Sequence, residues 1–184
     1  NNEYVKRNDV WFQDARMCGG WNWNADNPNQ MDLDIDKLKQ ACRPLTVEEG
    51  IWVGVPFGCL MGNYYNAISD QNGDTRTMQQ QGNHNNKDTD KQQVLIIRCA
   101  IGNRALAFDF RPPSSGSLPG IPDDSKRWEG IEYEMMIRGV KATLDNLSDI
   151  VPTYKPDQGY EITGFVWFQG HKDTTNKDWA AAYE

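Results

Sequence analysis

Two short stretches carry the residues with chemistry to offer. Gly102-Asn103 ends the apolar run Val94 to Ile101, and Gln169-Gly170-His171-Lys172-Asp173 ends a second run, Ile162 to Phe168. Gly and Asn both accept positive φ, so the backbone turns sharply after the first run. Gln169 offers a side-chain amide after the second. Turn N–H groups and an amide at neighbouring strand ends make a set of hydrogen-bond donors facing one crevice, the edge at which open α/β sheets bind ligands.

That arrangement requires particular elements. Val94 to Ile101 is rich in β-branched residues and broken only by Arg98, which predicts a strand buried on both faces. Ile162 to Phe168 predicts a second strand. Between them Tyr133, Met136, Ile137, Val140, Leu144, Leu147 and Val151 follow helical spacing, which predicts a helix over 131–150 with that face inward. Strand, helix and strand in this order predict a right-handed crossover and two parallel strands in one sheet.

Other candidate chemistry is weaker. Asp32, Asp34 and Asp36 alternate as in a calcium loop, but Lys37 stands where the turn glycine belongs and Arg43 where the closing Glu belongs. Calcium is rejected, and Asp36 reads instead as the N-cap of a short helix through Ala41. The four cysteines (Cys18, Cys42, Cys59, Cys99) form no CxxC pair and have no His at zinc spacing, so no metal is expected. Cys59 and Cys99 read as buried thiols, while Cys18 and Cys42 are left open between a disulfide and free thiols. Trp21 and Trp23 have strand spacing and read either as a stacking platform for a sugar or, more simply, as cover for the edge of the core. His84 lies in a polar tract and reads as a solvated side chain. The sequon at Asn146 falls on the predicted helix and reads as unmodified.

The 184 residues are about one domain, 1–184, with a net charge of −7 that argues against nucleic acid or an anionic membrane as partner. No apolar run nears the roughly 18 residues that span a bilayer. The amino-terminal residues show no signal-peptide core, so a signal is expected to be absent or removed. Val10-Trp11-Phe12 is a short strand candidate, and Phe57 to Ile68 has one apolar helical face. Residues 70–92 are almost wholly polar and read as a mobile insertion, because they bury too little to offset ordering. The last residues, from Asn176, begin a helix.

Three segments carry a resemblance. Asp9-Val10-Trp11-Phe12, then VLIIRCAIGNRALAFDFRPPSSG at 94–116, then GFVWFQGHKD at 164–173 resemble, in order and spacing, the sialate O-acetylesterase-like branch of the SGNH hydrolases. The resemblance implies an α/β fold, a three-layer α/β/α sandwich with a mainly parallel sheet. It implies an esterase acting on an acetylated carbohydrate or glycan, with no cofactor. It makes Gly102 and Gln169 the oxyanion-hole donors and leaves Asn103 and His171 to contact substrate. Donors of this kind must converge on the point where charge develops in the transition state.

The sequence departs from the family's pattern in several places. Asn103 replaces a second glycine, and His171-Lys172 replaces Trp-Asn. No Gly-x-Ser block precedes Asp9, and no Asp-x-x-His occurs. The family's base comes from that later motif, so His171 is read as shaping the pocket rather than as the base. The expectation is a fold incomplete at both ends, with nucleophile and base on the rest of the same fold, in the same or a neighbouring chain. The competing expectation is a catalytically silent SGNH-like module, structural or glycan-binding. Gln169 has a plainer alternative of its own, to satisfy loop backbone. Asp109 and Arg111 are expected to pair and order the loop. The compartment is left open, with a slight lean to a secreted or extracellular one.

Overall fold

The structure, a computed structural model, describes residues 10–16, 21–22, 32–44 and 93–182. The elements are β1 (Val10–Asp14), β2 (Trp21–Asn22), β3 (Asp32–Leu33), α1 (Ile35–Gln40), β4 (Cys42–Pro44), β5 (Val94–Arg98), α2 (Asp123–Lys126), α3 (Ile131–Asp145), α4 (Leu147–Ile150) and α5 (Lys177–Ala181). Helices and strands are mixed, broadly an α/β arrangement.

A three-stranded sheet in the order β4-β1-β5 sits at the centre. β1 runs parallel to β5, with Val10 opposite Val94 and Asp14 opposite Arg98, and antiparallel to β4. Every residue of β1 is buried. Val10 and Phe12 pack with Val94 and Ile96, and Trp11 packs with Leu147, Ile150 and Val151. The period-2 alternation of a strand puts these two sets on opposite faces. Trp21, Ile131 and Met135 form a third cluster, anchored by the bond from Trp21 Nε1 to the Ala15 carbonyl at 3.0 Å. Trp21 therefore covers core, the simpler of its two readings.

Several expectations are corrected. β5 ends at Arg98 rather than at Ile101, and its parallel neighbour is β1. Residues 162–168 form no strand: Phe165 is 71% exposed and Phe168 102%. A strand persists only where both a ladder and a packed face hold it. This segment is instead tethered at its C-terminal end, through the side chains of Trp167, Gln169 and Asp173. The predicted crossover pairing is therefore not formed.

The helix over 131–150 is present but divides at Asn146, whose side-chain amide donates to the Ala142 carbonyl at 2.8 Å. Its buried stripe is Ile131, Glu132, Met135, Gly139 and Thr143, rotated from the predicted face, and Ile137 is left 47% exposed. Two contacts set this rotation. Glu132 goes inward to meet two arginines, and Gly139 lets the helix press against Ala15. A Cβ at 139 would lie 2.9 Å from the Ala15 carbonyl oxygen.

The N-cap of α1 is Asp34 rather than Asp36, its carboxylate accepting from Lys37 N–H at 3.1 Å. Cys42 is a free thiol, and burial pushes its pKa up to about 11. Cys99 is half-buried, its thiol donating to the Met136 carbonyl at 4.0 Å. The readings for Cys18, Trp23, Cys59, the Phe57–Ile68 helical face, His84 and the polar tract 70–92 fall outside the described residues.

Candidate functional site

The loop 104–111 is the platform on which the predicted site residues meet. Asp109 holds it from within: its carboxylate accepts from Ala105 N–H at 2.7 Å, while Asp109 and Phe110 both donate backbone N–H to the Ala105 carbonyl. The loop then receives the start of α3. Gly130 N–H donates to Phe108 O at 2.8 Å and Glu132 N–H to Asp109 O at 2.9 Å, which satisfies first-turn donors that a helix leaves open. Gly130 enters at φ +75°, and a Cβ there would meet the Arg111 carbonyl at 2.6 Å, so the junction requires glycine.

Beneath this loop lies a buried ionic cluster. Arg16 meets Glu132 through two bonds, 2.6 and 2.9 Å, with Glu132 only 1% exposed. Arg104 reaches the same carboxylate at 3.0 Å and Asp109 at 3.5 Å. Burial holds the Asp109 carboxyl above its ordinary value. The Ala105 N–H and Arg104 oppose that rise, while Glu132 and Asp173 add to it. The expected Asp109–Arg111 pair is not formed. Arg111 pairs with Glu129 and donates to the carbonyls of Ser115 and Gly116, because its long side chain spans the Pro-Pro-Ser-Ser-Gly turn. Ordering of the loop is thus achieved, but by exchanged partners.

The segment after Phe168 docks on this platform through two side chains. Gln169 donates from Nε2 to the Arg104 carbonyl. Asp173, 2% exposed, accepts from Leu106 N–H and Ala107 N–H, both at 2.9 Å. Trp167 meets Phe110 edge to face at 5.3 Å, and Trp179 of α5 stacks on Phe108 at 6.0 Å. Asn176 caps α5, its side chain accepting from the N–H groups of Asp178 and Trp179.

Gln169 therefore docks on Arg104, the residue that follows the Gly102-Asn103 turn. Both turn residues are exposed, and Asn103 takes φ 63°, the left-handed conformation predicted for it. His171 is exposed, and its carbonyl accepts from the Thr174 hydroxyl at 2.7 Å. The Gln169 amide is thus engaged with the Arg104 carbonyl. The serines Ser114, Ser115 and Ser117 are exposed, and Ser114 and Ser115 lie in a short 3₁₀ turn.

Asp173 and Glu132 were not singled out from sequence. A carboxylate in the first turn of a helix reads as a partner for the helix dipole, so Glu132 gave no distinct signal. Asp173 looked like one more polar residue after an apolar run. Among the described residues, no group of three or more His, Cys, Asp and Glu is arranged to hold a metal. No helix among them is long and apolar enough to cross a membrane. Comparison with family models, with curated proteins and with solved structures found no match.

Proposed function

We propose that this chain is the substrate-facing part of a carbohydrate O-acetylesterase built on a three-layer SGNH-like fold. Its serine nucleophile and histidine base are supplied by residues outside these 184. One observation supports the reading beyond the resemblance: the Gln169 side chain bonds to the Arg104 carbonyl, two residues after Gly102 in the chain. In this reading the Gly102 N–H and the Gln169 side-chain amide would hold the negative charge that develops on an acetyl carbonyl oxygen. Asn103 and His171, both exposed, would contact the sugar.

A second reading has its own support. The bond from Gln169 to the Arg104 carbonyl is a structural role that needs no substrate, which favours a silent SGNH-like module. The two separate on one experiment with the complete protein and small acetylated sugars. In the esterase reading, Gln169→Ala lowers kcat about a hundredfold with KM nearly unchanged, the pattern of a contact made only in the transition state. The chain alone gives no turnover. Absence of hydrolysis by the complete protein above the uncatalysed rate, with glycan binding retained, establishes the silent module instead.

A further inference from the structure

Gly159 and Gly170, at φ 64° and 133°, bracket a run, Tyr160 to Gln169, in which no residue takes a positive φ. Its backbone is therefore free to lie as a strand. Ile162, Thr163, Phe165, Val166, Trp167 and Phe168 are strand-favouring residue types, and the run holds no proline. Yet residues 160–168 are exposed throughout and make no hydrogen bond to another described residue. The run has the sequence of a strand and lacks a ladder.

The side chains are as open as the backbone. Tyr160, Ile162, Phe165, Val166, Trp167 and Phe168 range from 37% exposed at Trp167 to 102% at Phe168. At about 150–250 Å² for each aromatic side chain and somewhat less for Ile and Val, they present roughly 800 Å² of apolar surface. That exceeds the largest patch of an ordinary monomer, about 300–600 Å², and matches the roughly 800 Å² that each partner gives to a stable interface. Composition agrees. Tyr160, Phe165, Trp167 and Phe168 are aromatic and only Glu161 is charged, the make-up of an interface core rather than of a solvated loop.

We propose that this run is a self-association strand, pairing antiparallel with the same run of a second copy about a twofold axis at Phe165. Charge selects that register. In a parallel, in-register pair Glu161 would face Glu161, and like charges directly opposite destabilise a ladder. Antiparallel pairing about Phe165 instead sets Glu161 opposite Gln169, Ile162 opposite Phe168 and Thr163 opposite Trp167. The last two are pairs of a β-branched with an aromatic residue, which stabilise a ladder. The contact is closed, since each copy supplies the same patch. It uses backbone groups, so the Gln169 side chain keeps its bond to the Arg104 carbonyl. The inference does not rest on the esterase reading, because it involves neither Gly102 nor any catalytic step.

The test is sedimentation velocity of the 184-residue chain over a concentration series. The expected result is a monomer below about 1 µM and a discrete dimer at tens of micromolar, because a contact of this size must also offset the entropy of association. An apolar dye should bind the dilute protein and be released as the dimer forms. Phe165→Lys sets two lysines opposite each other at the axis and should weaken dimerisation about tenfold or more. Ile162→Lys/Phe168→Lys should do the same, whereas Ile162→Lys/Phe168→Glu sets opposite charges across the axis and should restore much of the association. All three sites are exposed, so the Tm of the dilute variants should match the parent and exclude a folding defect. A chain that is monomeric at every concentration, an open-ended assembly, or lysine variants that dimerise as the parent does would overturn the proposal. So would equal association of the Lys/Lys and Lys/Glu variants, which would show that the register is wrong.

Discussion

Asp173 shows how a single carboxylate can decide where a segment ends. Its two oxygens take the N–H groups of Leu106 and Ala107, and the side chain is almost fully buried. Asp173→Ala leaves both donors without that acceptor, and charge-assisted bonds are the strong class. We expect a loss of about 3 kcal/mol in unfolding free energy, read from urea titration; a change below the error of the fit would show that water replaces the carboxylate. Asp109 behaves differently with pH. Burial raises its folded pKa above the ordinary 3.8, so the folded state holds the proton more tightly than the unfolded chain. Its contribution to stability is therefore full below the unfolded value and is lost as pH rises through the folded one. Asp109→Asn removes that loss. The stability of the variant relative to the parent should rise with pH across the window just above 3.8, a slope that paired denaturation curves would read directly.

Among the elements, α3 carries the clearest conflict between local preference and packing. Gly139 lies mid-helix, where Gly→Ala ordinarily stabilises by about 1 kcal/mol. Here the new Cβ would meet the Ala15 carbonyl oxygen at 2.9 Å and the Ala15 Cβ at 3.1 Å. The carbonyl belongs to backbone that donates its own N–H to Arg98 O, so it has little room to yield. Overpacking of this kind costs about 1–3 kcal/mol and outweighs the propensity gain. Gly139→Ala should therefore lower Tm, and a raised Tm would mean that the helix slides freely over Ala15. The same close approach explains why the predicted face of α3 is not the buried one. Apolar spacing found the helix, but Gly139 and the buried Glu132 chose its rotation.

For the molecule as a whole, the unusual feature is the apolar surface at 162–168. Ile162, Phe165, Val166 and Phe168 are each more than half exposed. Phe168 makes no packing contribution at 102% exposure, so Phe168→Ser should change unfolding free energy by no more than about 0.5 kcal/mol. The same change should reduce binding of an apolar dye, since contiguous exposed apolar surface is what such dyes report. A large destabilisation would show that the segment is packed in solution. Burial of charge is concentrated at the opposite extreme. Arg16, Asp109, Glu132 and Asp173 are buried in or against one loop, with the part-exposed Arg104 beside them, so polar contacts hold that loop where apolar packing holds the sheet.

The sequence alone determined the short-range features. It located β1 at Val10, most of β5, the existence of α3, the positive φ of Asn103 and the turn after Pro112, because each follows from local sterics or from hydrophobic period. Gln169 does dock on the Arg104 carbonyl, but not through the crossover from which its place was expected. Only the tertiary structure decided what lies across long separations. Which strand borders β5 and which face of α3 is buried depend on partners far apart in the chain, and which opposite charge Asp109 and Arg111 each meet depends on how loop 104–111 folds. Asp173 and Leu106 are 67 residues apart, and Arg16 and Glu132 are 116. No local pattern encodes such pairs. A carboxylate looks the same in sequence whether it faces solvent or a buried guanidinium, and only the packing of loop 104–111 against α3 distinguishes the two.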